Sequence, residues 1–177
     1  MNNKLNFSTL NLQDALDLAI LIEEDAQNRY EEFAKQIGST RNDDAGNFFA
    51  SMAENEAKHG RELVAQRKNL FGSNRSVVTQ DMISEIYEVE APEYDQVRSF
   101  MSTRHALEVA LTSETKAYDF FDKALASIKN EDVKKLFTEL KSEEAAHQNL
   151  IKDLLKKTSD TMEPDVLPDD VDEPAGL

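Results

Sequence analysis

The sequence predicts an all-α protein, a four-helix bundle with a long crossover between its second and third helices. Three observations predict it: the scarcity of helix breakers, four segments with an unbroken heptad seam, and a short–long–short pattern of connections. The chain has 177 residues and four prolines, Pro92, Pro164, Pro168 and Pro174. Residues 1–91 and 93–163 are therefore proline-free, as long helices require.

In the first helix the inward positions are Leu12, Leu16, Ala19, Glu23, Ala26, Tyr30, Phe33 and Ile37, alternating steps of four and three. The second helix repeats the steps through Ala45, Phe49, Met52, Glu56, His59, Leu63 and Gln66. The third runs through Phe100, Thr103, Leu107, Ala110, Glu114, Ala117, Phe121, Ala124 and Ile128. The fourth runs through Val133, Phe137, Leu140, Glu144, His147, Ile151 and Leu154. Gly38 and Gly72 follow apolar runs and read as C′ caps. Pro92, with Glu93 beside it, suits the first turn of a helix. Asn130 before Glu131 and Asp132 reads as an N-cap with an acidic first turn.

Short loops around Gly38–Asp43 and Lys129–Asn130 make antiparallel helical hairpins. The stretch from Phe71 to Ala91 is too long for a tight turn and predicts a crossover. Within it, Thr79 would cap a short helix using Met82, Ile83, Ile86 and Tyr87. The two hairpins resemble each other: Glu23 aligns with Glu114, Ala26 with Ala117, Tyr30 with Phe121, Phe49 with Phe137, Glu56 with Glu144 and His59 with His147. The bundle is expected over residues 1–157, with an acidic, proline-rich tail over 158–177.

Composition narrows the function. Hydrophobic residues make up 40% of the chain, enough for one core, and Lys+Arg 20 against Asp+Glu 35 gives a net charge of -15. Such a surface repels phosphate backbones, so neither nucleic acid nor an anionic membrane is an expected partner. With no cysteine, disulfides, thiolate catalysis and Cys-ligated clusters are excluded. Met1 to Leu10 holds one Lys and no apolar run, unlike a signal peptide. A cytoplasmic protein is expected.

Six polar residues break the apolar seams: Glu23, Glu56, His59, Glu114, Glu144 and His147. Unpaired buried carboxylates are costly and are normally neutralised by a partner or a metal. No Lys or Arg occupies a seam position. Two divalent cations would cancel four glutamates. Counted from the two turns, the six residues lie at about the same height, given a rise of ~1.5 Å per residue. Glu-x-x-His also sets two ligands on one helix face. The plainer alternative is a buried ionic network without metal.

One Glu from each of two helices, with Glu-x-x-His from each of the other two, resembles the centre of ferritin-like di-iron carboxylate proteins. The chain is similar to the rubrerythrin/bacterioferritin branch from about residue 10 to 155. The resemblance carries metal ligation onto Glu23, Glu56, His59, Glu114, Glu144 and His147. It implies a di-iron oxidoreductase that oxidises Fe(II) with O2 or peroxide, as a ferroxidase or a rubrerythrin-like peroxide scavenger, with an unknown reductant. Two iron ions are expected; manganese or a mixed Mn/Fe pair also suits these ligands. The alternative is a non-catalytic iron-binding, storage or adaptor protein. Rubrerythrins add a Glu three residues beyond the helix-three ligand, where this chain has Ala117, and usually a Cys-rich domain, which it lacks. This favours ferroxidase over peroxidase behaviour. Bacterioferritins place a haem-binding Met beside the helix-two Glu; Ala57 stands here, so no haem is expected. The family's cage formers end in a fifth helix, and this chain in a Pro/Asp-rich tail, so a homodimer is expected.

Among smaller features, Tyr30 reads as a core tyrosine with its hydroxyl bonded. Tyr118, and its repeat mate Gln27, are candidates to hydrogen-bond a ligand carboxylate. Ala53, Ala57 and Gly60 keep helix two thin beside the site. Glu24 and Glu143, next to ligand positions, read as solvated, and His105 as a surface residue. The tail from Lys156 to Leu177 has two Lys and seven acids; it reads as extended, or as a peptide that docks to a partner shell.

Overall fold

The computed structural model describes residues 6–38, 44–74, 78 and 101–158. Four helices form it: α1 (Leu12–Gly38), α2 (Asp44–Phe71), α3 (Thr103–Leu125) and α4 (Glu131–Lys157). No strand occurs among the described residues. The bundle is the predicted one. The loop 39–43, the Thr79 helix, Pro92, Phe100 and the tail from 159 lie outside the described residues.

The helix ends follow local chemistry. Asn11 opens α1 by accepting from the Asp14 N–H at 2.9 Å while its amide donates to the Asp14 carboxylate at 2.7 Å. Gly72 stops α2 at φ 60, a left-handed conformation that costs glycine little, and its N–H donates to the Lys68 carbonyl at 2.9 Å. Ser102 caps α3 by accepting from the His105 N–H at 3.1 Å. Asn130 caps α4 as predicted, accepting from the Asp132 and Val133 N–H groups.

Side-chain contacts fix the directions. Phe33 of α1 packs on Phe49 of α2, and at the other end Asp17 meets Arg67, so α1 and α2 are antiparallel. Phe121–Phe137 and Asp122–Lys141 make α3 and α4 antiparallel. One apolar cluster joins the start of α1 (Leu16, Leu18) to the end of α3 (Phe121, Ala124) and the start of α4 (Val133, Phe137). A second joins the end of α1 (Tyr30, Phe33), the starts of α2 and α3 (Phe49, Met52, Leu107) and the end of α4 (Ile151). Hence α1 runs parallel to α4 and α2 parallel to α3, which is the topology a long crossover demands. The six seam residues lie between the two clusters along every helix, with an apolar core above and below.

Two details depart from the seam. Gln66 is exposed, not inward. Beyond Leu63, α2 is held by Arg67, which donates to both Asp17 carboxylate oxygens and to the Gly72 and Asn74 carbonyls, and by Phe71, which packs against the core. Asp17 is thereby buried with its charge paired. Before α1, Phe7 sits in a short 3₁₀ turn and meets Phe120 and Phe137 edge-on, closing one end of the bundle.

Candidate metal centre

The four seam glutamates come from four helices, and all are buried: Glu23 at 3% exposure, Glu56 at 1%, Glu114 at 0% and Glu144 at 2%. Each sits inward because its helix keeps heptad phase across it. His147 is buried and His59 only partly so. The two imidazoles stack in near-parallel planes, 5.1 Å apart between centroids at 11°. Glu-x-x-His on α2 and on α4 therefore converge, as their spacing predicts.

The contacts within the layer are close. His147 Nδ1 lies 3.0 Å from Glu114 Oε2 and 3.8 Å from Glu56 Oε1. His59 Nδ1 lies 3.6 Å from Glu56 Oε2 and 3.9 Å from Glu23 Oε2. Three triads each bring one ligand atom per residue within 4.8 Å of the others: Glu56–His59–His147, Glu114–Glu144–His147 and Glu23–His59–Glu143. All six sequence-predicted ligands are thus in one place, and Glu56 stands between the two histidines.

Electrostatics shows what the layer lacks. Burial, reinforced by Glu56, holds the Glu23 carboxyl well above its ordinary 4.5. Burial, reinforced by Glu114, does the same to Glu144. Burial alone would lower the His147 pKa, but its hydrogen bond to Glu114 and the charge of Glu56 outweigh that and raise it. Among the described residues no donor reaches Glu23 Oε2, Glu56 Oε1 or Glu144 Oε2, although all three oxygens are buried. A buried carboxylate oxygen without a partner is unstable unless it is protonated or meets a cation. No Lys or Arg contributes to the raised pKa of Glu23 or Glu144. Oxygen-rich triads with imidazole are a donor set that divalent iron or manganese accepts.

The surrounding residues sort differently from expectation. Tyr30, fully buried, donates its hydroxyl to Glu114 Oε1 at 2.8 Å across the core. Tyr118 does not hold a ligand carboxylate: its ring lies under Lys141 Nζ, 4.9 Å from the centroid. Gln27 donates to Glu31 instead, at 2.9 Å. Both point off the inward face of their helices, where one-turn spacing had suggested otherwise. Glu143, expected to be solvated, is half-buried and joins Glu23 and His59. Burial raises its pKa even though the two imidazoles pull it down. Glu24 is exposed and His105 lies 44% exposed beside Glu108, as predicted. Gly60 lets α2 approach α1 at this level: a Cβ there would stand 3.6 Å from the Glu23 Cβ. Ala117 is fully buried, so no further carboxylate enters from α3.

No helix among the described residues is long and apolar enough to cross a membrane. The fold is similar to an uncharacterized conserved protein of Magnetospirillum magnetotacticum at TM-score 0.68 and 24% identity, covering 88% of this chain and 100% of that one. It is also similar to a hypothetical protein from Pyrococcus furiosus at TM-score 0.53 and 18% identity, covering 86% and 94%. No curated protein matches the chain. The family model for Rubrerythrin matches residues 14–155 and, in a second stretch, 105–171. Matched over most of its length by that model, and carrying Glu, Glu-x-x-His, Glu, Glu-x-x-His in one buried layer, the chain belongs to the rubrerythrin family.

Proposed function

We propose that the protein is a di-iron carboxylate oxidoreductase that oxidises Fe(II) with O2 or peroxide and acts more as a ferroxidase than as a peroxidase. One observation carries this reading: Glu23 Oε2, Glu56 Oε1 and Glu144 Oε2 converge, buried and without hydrogen-bond partners, on two stacked histidines. Four ionised glutamates would balance two divalent cations, and among the described residues no Lys or Arg is paired with them. Glu23, Glu56 and His59 would hold one ion; Glu114, Glu144 and His147 would hold the other. Glu56, 3.6 Å from His59 Nδ1 and 3.8 Å from His147 Nδ1, is within reach of both histidines.

Iron bound there would supply single electrons to O2 or peroxide. The chain's own residues do the rest. Tyr30 holds Glu114 Oε1 and leaves Oε2 facing His147. Burial raises the Glu23 and Glu144 pKa values, so cation binding there would be coupled to proton release. Met52 and Leu107 from one core cluster, with Leu16, Leu140 and Phe121 from the other, limit water around the layer. Ala117 supports the ferroxidase reading, since α3 offers Glu114 and no second carboxylate three residues on.

The test is stopped-flow absorbance after Fe(II)-loaded protein meets O2 or, separately, hydrogen peroxide. Oxidation faster than that of free Fe(II) in the same buffer is the expected result. If neither oxidant consumes Fe(II) faster, the protein is a non-catalytic iron-binding module on the same bundle.

A further inference from the structure

Glu143 has no part in the six-residue pattern, yet it shares a triad with Glu23 and His59 whose ligand atoms lie within 4.8 Å of one another. This triad differs from the other two. In Glu114–Glu144–His147 every member is buried, and in Glu56–His59–His147 only His59 is not. In Glu23–His59–Glu143 two of three members are partly exposed, so this is the side on which the layer opens outward. The inner member, Glu23, is only 3% exposed, and among the described residues its Oε2 has no donor. It therefore presents an unsatisfied oxygen toward the half-exposed pair.

Two further acids flank this triad: Glu62 lies one turn beyond His59 on α2, and Glu139 one turn before Glu143 on α4. Their side chains are 62% and 56% exposed. Each has a lysine one turn away, Lys58 at 3.9 Å from Glu62 and Lys135 at 4.0 Å from Glu139, contacts too long and exposed to neutralise them fully. Carboxylates are thus graded from solvent inward, from Glu62 and Glu139 through Glu143 to Glu23. A cleft lined by one sign of charge raises the local concentration of counter-ions and their on-rate.

We propose that Glu143, with Glu23 and His59, forms an outer divalent-cation site through which ions pass from the Glu62–Glu139 face to the buried centre. The proposal rests on the metal-binding reading above and adds a route to it. An ion held by Glu143 shares Glu23 and His59 with the inner position, so transfer needs only the exchange of the outer carboxylate for Glu56, which already lies 3.6 Å from His59 Nδ1. Glu143 is then a loading residue and not a resident ligand.

The experiment uses Co(II) as the probe and follows its ligand-field absorbance on mixing with the metal-free full-length chain. Glu143→Gln removes the charge and keeps the shape; Glu24→Gln is the control, an exposed acid beside a ligand. Expected is Co(II) uptake slowed on the order of tenfold by Glu143→Gln, with an unchanged endpoint of bound Co(II). Glu62→Gln should slow uptake less and flatten its dependence on ionic strength. Uptake by Glu143→Gln as fast as by Glu24→Gln overturns the proposal. So does an endpoint one ion lower at an unchanged rate, because Glu143 is then a resident ligand. If the unaltered chain takes up no Co(II), the dinuclear reading itself fails, and the route falls with it.

Discussion

Replacing Tyr30 by Phe removes one oxygen atom from the centre of the molecule. The ring keeps its place, stacked on Phe49 at 5.9 Å between centroids. What is lost is the donor to Glu114 Oε1 at 2.8 Å, in a pair whose members are both fully buried. A hydrogen bond to a charged group contributes about 1.5–3 kcal/mol, and an acceptor left unsatisfied in the interior costs a similar amount. In the metal-free protein Tyr30→Phe should therefore lower stability by about 2 kcal/mol, or roughly 4–8 °C in Tm for a chain of this size. In the metal-bound protein the loss should appear as affinity. Groups that orient ligands are worth about 10–100-fold in metal binding. Urea unfolding of the metal-free variant and competitive metal titration against a chelator measure the two effects. Tyr118→Phe is the matched control, since its ring lies under Lys141 and holds no ligand. If Tyr30→Phe changes stability by less than about 0.5 kcal/mol and leaves metal affinity equal to that of Tyr118→Phe, the hydrogen bond has no role and the reasoning fails.

Further expectations follow from the same layer. His59→Ala and His147→Ala should each lower metal content while His105→Ala does not; equal loss in all three by elemental analysis would contradict the ligand assignment. Metal binding should release protons, because Glu23 and Glu144 have pKa values raised well above 4.5 without metal; calorimetry in buffers of different ionisation enthalpy should give heats that depend on the buffer, and identical heats would count against protonated glutamates. The sign for folding is fixed by the same shifts: folded Glu23 and Glu144 bind protons more tightly than in the unfolded chain, so their contribution is full below about pH 4.5 and is lost as pH rises through the raised values. Glu23→Gln with Glu144→Gln should flatten that decline in the metal-free protein, and an unchanged pH profile would refute it. Glu144→Leu should leave the metal-free fold as stable or more stable while abolishing binding, since an apolar side chain removes a buried repulsive carboxyl; a loss above about 3 kcal/mol in urea unfolding would contradict this.

The helices, their directions and the six seam residues were legible in the sequence, for a simple reason. Heptad phase tells which side of a helix faces inward, and Glu23, Glu56, Glu114 and Glu144 keep that phase without a break. Phase is weakest at the edge of the inward face, and the misses fall there. Glu143 lies about 100° round the helix from Glu144, enough to leave the seam but not the groove facing α2. Tyr118 and Gln27 are each one turn from a ligand, a spacing that allows contact and does not compel it. Tyr30 lies two turns from Glu23 and reads as a core residue with a bonded hydroxyl; that its partner is Glu114, on another helix, depends on how the hairpins cross. Gln66 keeps the heptad count and is nevertheless exposed, which periodicity alone does not signal. Arg67, next to it, is the residue that binds α2 back to Asp17.

The central claim is that four glutamates and two histidines of the buried layer hold two metal ions. Diffraction at the iron absorption edge, from crystals grown anaerobically with Fe(II), tests it most directly. Two anomalous peaks per chain are predicted, one against Glu23, Glu56 and His59 and one against Glu114, Glu144 and His147. Peaks confined to surface carboxylates, with none at the six residues of the layer, would contradict the account.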